Sequence, residues 1–330
     1  MGPSPLAVPV GLCLGFIADR LFGDPRRGHP VAAFGRGASR LELLMYDDCR
    51  AAGTAYALLL VGGSTLAAVT LEMTLRDRPR ARTLAIACVT WAVLGGRSLE
   101  RAAAHVARPL ERDDLDGARS GLPSLVSRDP AGLDAPAVAR ATVESVAENT
   151  SDAVTAPLLW GAVAGLPGLV GYRAANTLDA MVGYRSVRFA RFGWAAARLD
   201  DVLNLVPARL AALLALVCAP VVGGSARAGW RAMRRDAPAH PSPNGGVVEA
   251  AFAGVLGVSL GGINSYGGRR EDRGRLGEGT APRAADIDRA TRLARHVSVG
   301  SLVVACALSA VRPNVAALVK RSWRRSRSGT

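Results

Sequence analysis

Residues 144–209 read ESVAENTSDAVTAPLLWGAVAGLPGLVGYRAANTLDAMVGYRSVRFARFGWAAARLDDVLNLVPAR. The stretch sets acids, asparagines and arginines at helical spacing into and between apolar runs. A soluble helix places such charges on a wet face. Here they border segments apolar enough for lipid, where an ionisable group is costly unless it has a role. The stretch therefore points to a polar site built into a helical membrane protein.

The same texture continues on both sides. Apolar runs recur at Ala52 to Leu71, Thr83 to Gly96, Ala153 to Val170, Leu203 to Gly223, Val247 to Ile263 and Val297 to Val311. Several are shorter than the roughly 20 residues of an upright span, so some are expected to be re-entrant or buried helices. Of the 330 residues 49% are hydrophobic and 5% aromatic, and the mean hydropathy is +0.19, which suits a multi-span membrane protein better than a soluble domain. Alternation with period two is weak, so strands should be few. The expected fold is mainly α: a polytopic α-helical membrane protein with Gly/Pro-broken helices. It forms a single integral membrane domain over 1–330, with polar cytoplasmic loops at about 19–50, 97–141, 227–246 and 264–295. No internal repeat is evident.

The net charge of +14 is spread between the apolar runs without interleaved aromatic platforms, which argues against nucleic acid as a partner. Membrane orientation accounts for it better. Lys320, Arg321, Arg324, Arg325 and Arg327 follow the last run without an acid, which places the C-terminus in the cytoplasm and the chain in the cell membrane as a multi-pass protein. The five cysteines are far apart and form no CxxC pair, so they read as small core residues. Leu6 to Ala18 has the apolar length of a signal-peptide core but no A-x-A cleavage site, and is read as a retained first helix.

Several clusters have chemical potential. Glu144, Glu148 and Asp152 are spaced by four, which on a helix aligns three carboxylates beside Asn149. A hard cation such as Mg²⁺, shared with substrate phosphate oxygens, would neutralise them; the alternative is a solvated face paired with Arg140. Asn176 and Asp179 share a face in RAANTLDAM. Asp200, Asp201 and Asn204 follow in ARLDDVLNLVPAR between Arg198 and Arg209, as either metal ligands or an ion-pair network. Asp24, Arg26, Arg27 and His29 lie in the stiff loop GDPRRGHPV, which can present arginine forks to phosphate or carboxylate. His240, Ser242 and Asn244 in HPSPNGG read as an anion site or as an ordinary helix cap. Lys320 is the chain's one lysine, so no GxxxxGK[ST] loop exists, and any nucleotide must be held by arginines, backbone amides and metal.

Together these blocks resemble the CobD/CbiB family of cobalamin-biosynthesis membrane proteins, the adenosylcobinamide-phosphate synthases. GDPRRGHPV, ESVAENTSDAVTAPLLW, YRAANTLDAMVGY, FGWAAARLDDVLNLVPARL and HPSPNGGVVEAAFAGVLGVSLGGINSYGG stand in that family's order, from about Gly11 to Gly279. Gly28, where the family often has Pro, and Ser151, where it is commonly apolar, depart from the pattern.

The resemblance implies an ATP-dependent ligase. It would join (R)-1-amino-2-propanol O-phosphate, or aminopropanol, to a propionate of adenosylcobyric acid through an acyl phosphate, with the corrinoid as substrate rather than cofactor. Such chemistry needs Mg²⁺, arginines and a base. The implied roles are catalytic for Glu144, Glu148 and Asp201, and metal-binding for Glu148, Asp152, Asp179, Asp200 and Asp201. Substrate or phosphate binding falls to Asp24, Arg26, His29, Arg36, Asn149, Asn176, Arg198, Asn204, Arg209, His240, Ser242 and Asn244. Expected partners are these small molecules, the lipid bilayer, and a second copy of the chain or other cobalamin-pathway enzymes. The competing reading is a membrane transporter of a corrinoid or other anionic solute, since broken helices and charges near lipid also build transport sites.

Overall fold

The computed structural model describes residues 6–24, 28–126, 129–184, 186–266 and 269–327; at 263–271 and 312–327 only the backbone is described. Arg26 lies outside the described residues. The helices are α1 (Ala7–Phe22), α2 (Pro30–Met45), α3 (Arg50–Ala57), α4 (Gly63–Thr74), α5 (Pro79–Val93), α6 (Gly96–Leu110), α7 (Leu115–Gly121), α8 (Ala135–Thr150), α9 (Ala156–Ala164), α10 (Leu166–Leu178), α11 (Phe189–Phe192), α12 (Trp194–Val217), α13 (Ala226–Asp236), α14 (Gly245–Leu256) and α15 (Ala284–Arg327). Two strands, β1 (Leu260–Tyr266) and β2 (Arg269–Leu276), pair antiparallel, with an irregular register between Gly261 and Ile263. The mainly α expectation holds.

Three wide π turns interrupt the helices. Leu58–Gly62 joins α3 to α4, Ser151–Thr155 joins α8 to α9, and Asp179–Gly183 extends α10. Such turns favour functional positions. Other breaks follow from local chemistry. Gly165, at φ +68°, ends α9, and Pro167 opens α10. The first amide of α10, Leu166 N–H, donates to Glu72 at 3.2 Å, and Arg82 holds that carboxylate in turn. Asp134 caps α8 by accepting from Ala137 N–H, with Pro136 in the first turn.

The buried apolar residues form three clusters. The largest joins α6, α7, α8, α14, the hairpin, the turn after α13 at Ala237, the end of α12 and the start of α15. A second joins α1, α5, α9 and α10, with Leu12, Ile86, Leu158 and Leu169 fully enclosed. A third surrounds Tyr56 and Phe192 where α3 meets α11 and α12. The first helix thus contributes Leu12 and Phe16 to the core. Cys13 and Cys306, with thiols 3.4 Å apart, link α1 to α15 without a disulfide.

The approach of α3 to α11 depends on a glycine. A Cβ on Gly53 would lie 1.7 Å from the carbonyl oxygen of Phe192, a backbone atom that cannot swing away. Gly53→Ala is therefore expected to cost about 2 kcal/mol through forced separation of the two helices, measurable as a lowered melting temperature.

Among the described residues two helices are long and apolar enough to cross a membrane, Arg50–Thr74 and Ala284–Val311. The other apolar runs take different forms. Val247 to Ile263 divides into α14, which is buried almost throughout, and the start of β1; a 12-residue helix spans only about 18 Å, too short for a bilayer core. Ala153 to Val170 is cut at Gly165. Large apolar side chains are nonetheless exposed along α1 (Val10, Leu14, Ile17), α12 (Val202, Val206, Val217) and α15 (Val299, Val303), more than water-facing surfaces usually carry. The polar segments are largely helical rather than loops: α2, α6, α7 and α13 lie within them.

Candidate functional site

The acids of the central stretch converge from three helices. Asp152 lies in the π turn after α8, Asp179 opens the π turn after α10, and Asp200 and Asp201 lie in the second turn of α12. Their side chains share one electrostatic environment with Glu148. Asn176 Nδ2 donates to Asp200 Oδ1 at 3.2 Å, and Asn204 Nδ2 to Asp200 Oδ2 at 2.9 Å. Tyr172 O–H donates to Asn204 Oδ1 at 2.9 Å and reaches the Asp152 carbonyl at 3.1 Å. One buried network therefore fixes Asp200 from both sides. Asn149 turns back along α8, donating to Ser145.

These acids lie outside the two helices long enough to cross a membrane, and their environment discourages negative charge. Burial and then Asp200, Asp201 and Glu148 push Asp179 up to about 7. Burial also raises Asp200, to about 6, although hydrogen bonds from Asn176 and Asn204 pull the other way. Asp152 rises well above the ordinary carboxylate range through burial and then the Asp200 charge. All the donors are hard oxygens, so the set fits Mg²⁺, whose charge would relieve this repulsion. Among the described residues no group of three or more His, Cys, Asp or Glu is placed to hold a metal ion, so a Mg²⁺ here would need substrate phosphates and water to complete its shell.

A second niche adjoins the first. His240, Glu249, Glu144 and Glu148 lie near Arg273 and Arg140 where the HPSPN loop meets the hairpin. Glu249 and the His240 side chain are fully enclosed, with Nε2 3.7 Å from Glu249. His240 Nδ1 lies 3.1 Å from the Ser242 N–H and 3.2 Å from the Ser242 carbonyl oxygen, so either tautomer of a neutral imidazole meets a backbone partner there. Burial, and then the Arg273 charge, lower the His240 pKa. Glu144 accepts from Gly261 N–H at 2.7 Å, so it faces β1. Glu148, close to Gly245 and Ser242, stands between the two niches.

The remaining sequence candidates separate into four groups. Arg209 bonds Asn244 Oδ1 at 2.8 Å, and Asn244 Nδ2 donates to the Asp201 carbonyl at 2.7 Å, which fastens the HPSPN loop to α12. Ser242 accepts from Gly245 N–H and His29 from Val31 N–H, so both have capping contacts. Arg198 pairs with Asp201 at an exposed position, and Arg36 lies exposed on α2. Asp24 is brought within electrostatic reach of Arg173, on α10. Sequence reasoning passed over Tyr172, Arg173, Glu249 and Arg273. The first two adjoin the Asn176 and Asp179 pair in YRAANTLDAM, and that proximity was the available signal.

Residues 12–294 match the CobD/Cbib protein family. Similar proteins named cobalamin biosynthesis protein CobD include one from Mycobacterium tuberculosis, 54% identical over 91% of this chain and 95% of the relative. Another, from Chromobacterium violaceum, is 45% identical over 88% and 92%. A third, from Rhodobacter capsulatus, is 42% identical over 91% and 94%. No solved structure matches the chain.

Proposed function

The chain belongs to the CobD/Cbib family of cobalamin biosynthesis proteins, and we propose that it is the ATP-dependent ligase that joins an amino alcohol to a propionate of adenosylcobyric acid. The amino alcohol is (R)-1-amino-2-propanol O-phosphate or its unphosphorylated form. The convergence of Glu148, Asp152, Asp179, Asp200 and Asp201 beside Asn176 and Asn204 carries the reading.

A carboxylate is a poor electrophile, so the propionate oxygen first takes the γ-phosphoryl group of ATP and ADP leaves. The amine nitrogen then attacks the carbonyl carbon, the carbon–oxygen bond to phosphate breaks, and inorganic phosphate departs as the amide forms. Glu148, between the two niches, receives the ammonium proton. Asn176 and Asn204 hold the Asp200 carboxylate in one orientation, which limits reorganisation during reaction. Arg209 and Asn244 keep the HPSPN loop against α12 and so maintain the second niche. Mg²⁺ bound by Glu148, Asp152, Asp179, Asp200 or Asp201 would supply positive charge to phosphate oxygens.

The exposed apolar faces and the basic residues after the last apolar run support a multi-pass placement with a cytoplasmic C-terminus. Purified protein supplied with adenosylcobyric acid, aminopropanol phosphate, Mg²⁺ and ATP is expected to yield the amide by mass spectrometry, with matching ADP release. Uptake of corrinoid into vesicles without amide would overturn the reading in favour of transport.

A further inference from the structure

Asp19, near the end of α1, is buried and reaches into a neighbouring helix. Helix α6 opens at Gly96 without a side-chain cap from Gly95, and Asp19 Oδ2 supplies one by accepting from Arg97 N–H at 3.2 Å. The start of α6 bears in turn on the π turn at Ser151–Thr155. Gly95 N–H donates to the Ala153 carbonyl at 3.2 Å, and a Cβ on Gly96 would lie 3.0 Å from Asp19 Oδ2 and 3.3 Å from Val154 Cγ2. The turn has two further supports: Thr155 Oγ1 lies 2.9 Å from Ser301 Oγ on α15, and the Tyr172 hydroxyl meets the Asp152 carbonyl at 3.1 Å.

Asp152 lies among these supports, one residue before Ala153. Hydrogen bonds join its backbone to Asp200: the Tyr172 hydroxyl contacts both the Asp152 carbonyl and Asn204 Oδ1, and Asn204 Nδ2 donates to Asp200. A π turn is rare in a helix, and its width decides where the side chains it carries point, so contacts from outside the helix fix the aim of Asp152. One of those contacts runs back through the start of α6 to α1. We infer that Asp19 is a positioning residue: by capping α6 it sets Gly95 and Gly96 against the π turn and so holds Asp152 in the acidic cluster with Asp200. The inference rests on the ligase reading, in which Asp152 belongs to the reacting cluster, and adds to it a residue that acts through the backbone of α6. Without the cap the first turn of α6 loosens, the Ala153 carbonyl loses its outside donor, and Asp152 spreads over several orientations. A misplacement of about 1 Å in such a group can cost about 10²-fold in rate.

The test pairs hydrogen–deuterium exchange with turnover, both on the full chain in lipid nanodiscs. Asp19→Ala should speed exchange over residues 150–156 about tenfold in the absence of substrates, and lower kcat for amide formation about 10²-fold while the KM for ATP stays unchanged. Asp19→Asn, which keeps an acceptor for Arg97 N–H, should restore both. Glu100→Gln, which also cuts a link between α1 and α6 through Arg20, should leave both at wild-type values. If Asp19→Ala does not fold, Gly96→Ala decides: its methyl group intrudes between Asp19 and Val154 and should produce the same two changes with Asp19 in place. Unchanged exchange over 150–156 or undiminished kcat in Asp19→Ala overturns the inference, as does failure of Asp19→Asn to restore them. An equal effect of Glu100→Gln overturns it as well, by reducing Asp19 to a joint between two helices. The expected exchange pattern in a protein whose wild type forms no amide would keep the positioning of Asp152 and reject the ligase reading.

Discussion

Replacing Glu148 or Asp201 by Ala is expected to lower amide formation by about 10³-fold, the scale on which preorganised charged groups contribute to catalysis. Glu148 stands between the two niches, so its loss removes the proposed proton acceptor and one negative charge facing Asp152, Asp179 and Asp200. Asp201 loses a carboxylate that raises Asp179 and Asp200, while its backbone carbonyl still accepts from Asn244. Both variants should therefore remain folded and keep the HPSPN loop in place. The measurement is ADP release and amide yield beside a thermal melt; near wild-type turnover in both variants would reject the assigned site.

Glu100→Gln is expected to destabilise the protein by about 3 kcal/mol without touching the candidate site. The Glu100 carboxylate is 8% exposed and joins three arginines: Arg20 on α1 at 2.5 Å, Arg97 on α6 at 3.4 Å and Arg295 on α15 at 3.1 Å. Removing one partner from such a network leaves buried charge uncompensated, at a cost of about 3–5 kcal/mol; the lower end applies because the arginines keep water contact. Burial alone would raise the Glu100 pKa, but hydrogen bonds from Arg20 and Arg295 outweigh it and hold the group below its ordinary value of 4.5. A carboxylate whose pKa is lowered by folding stabilises the protein above its unfolded value and loses that contribution as pH falls through the folded one. The stability gap between wild type and Glu100→Gln should thus be full at neutral pH and shrink below about 4.5. A gap that persists undiminished well below that value would assign the effect to packing rather than charge.

The helical class was legible because the chain lacks strand alternation, and the acids were legible because their spacing sets them beside apolar runs. Their grouping was less so. Spacing by four predicts Glu144, Glu148 and Asp152 on one face, yet Glu144 accepts from Gly261 on the hairpin while Asp152 joins Asp179 and Asp200. The π turn at Ser151–Thr155 is part of the reason, and hydrophobic periodicity carries no sign of it. Arg173 reads in sequence as one flanking arginine among many; only the fold reveals that its Nε is enclosed with no hydrogen-bond partner among the described residues. The runs ending at Ile263 and Gly223 show the complementary limit. Apolarity marks burial, but whether lipid or protein does the burying is settled by helix length and neighbours, as for α14.

The π turns beginning at Ser151 and Asp179 also set the helical phase. A wide turn holds one residue more than an α turn, so the residues beyond it are rotated by about 100° from where an uninterrupted helix would carry them. Before the first of these turns the chain aims Glu144 and Glu148 inward; after it, Leu158 and Ala162 enter an apolar cluster instead. Deleting Ala153 from Ser151–Thr155 would then leave every acid of the cluster chemically intact while turning the apolar half of the helix out of step with the acidic half.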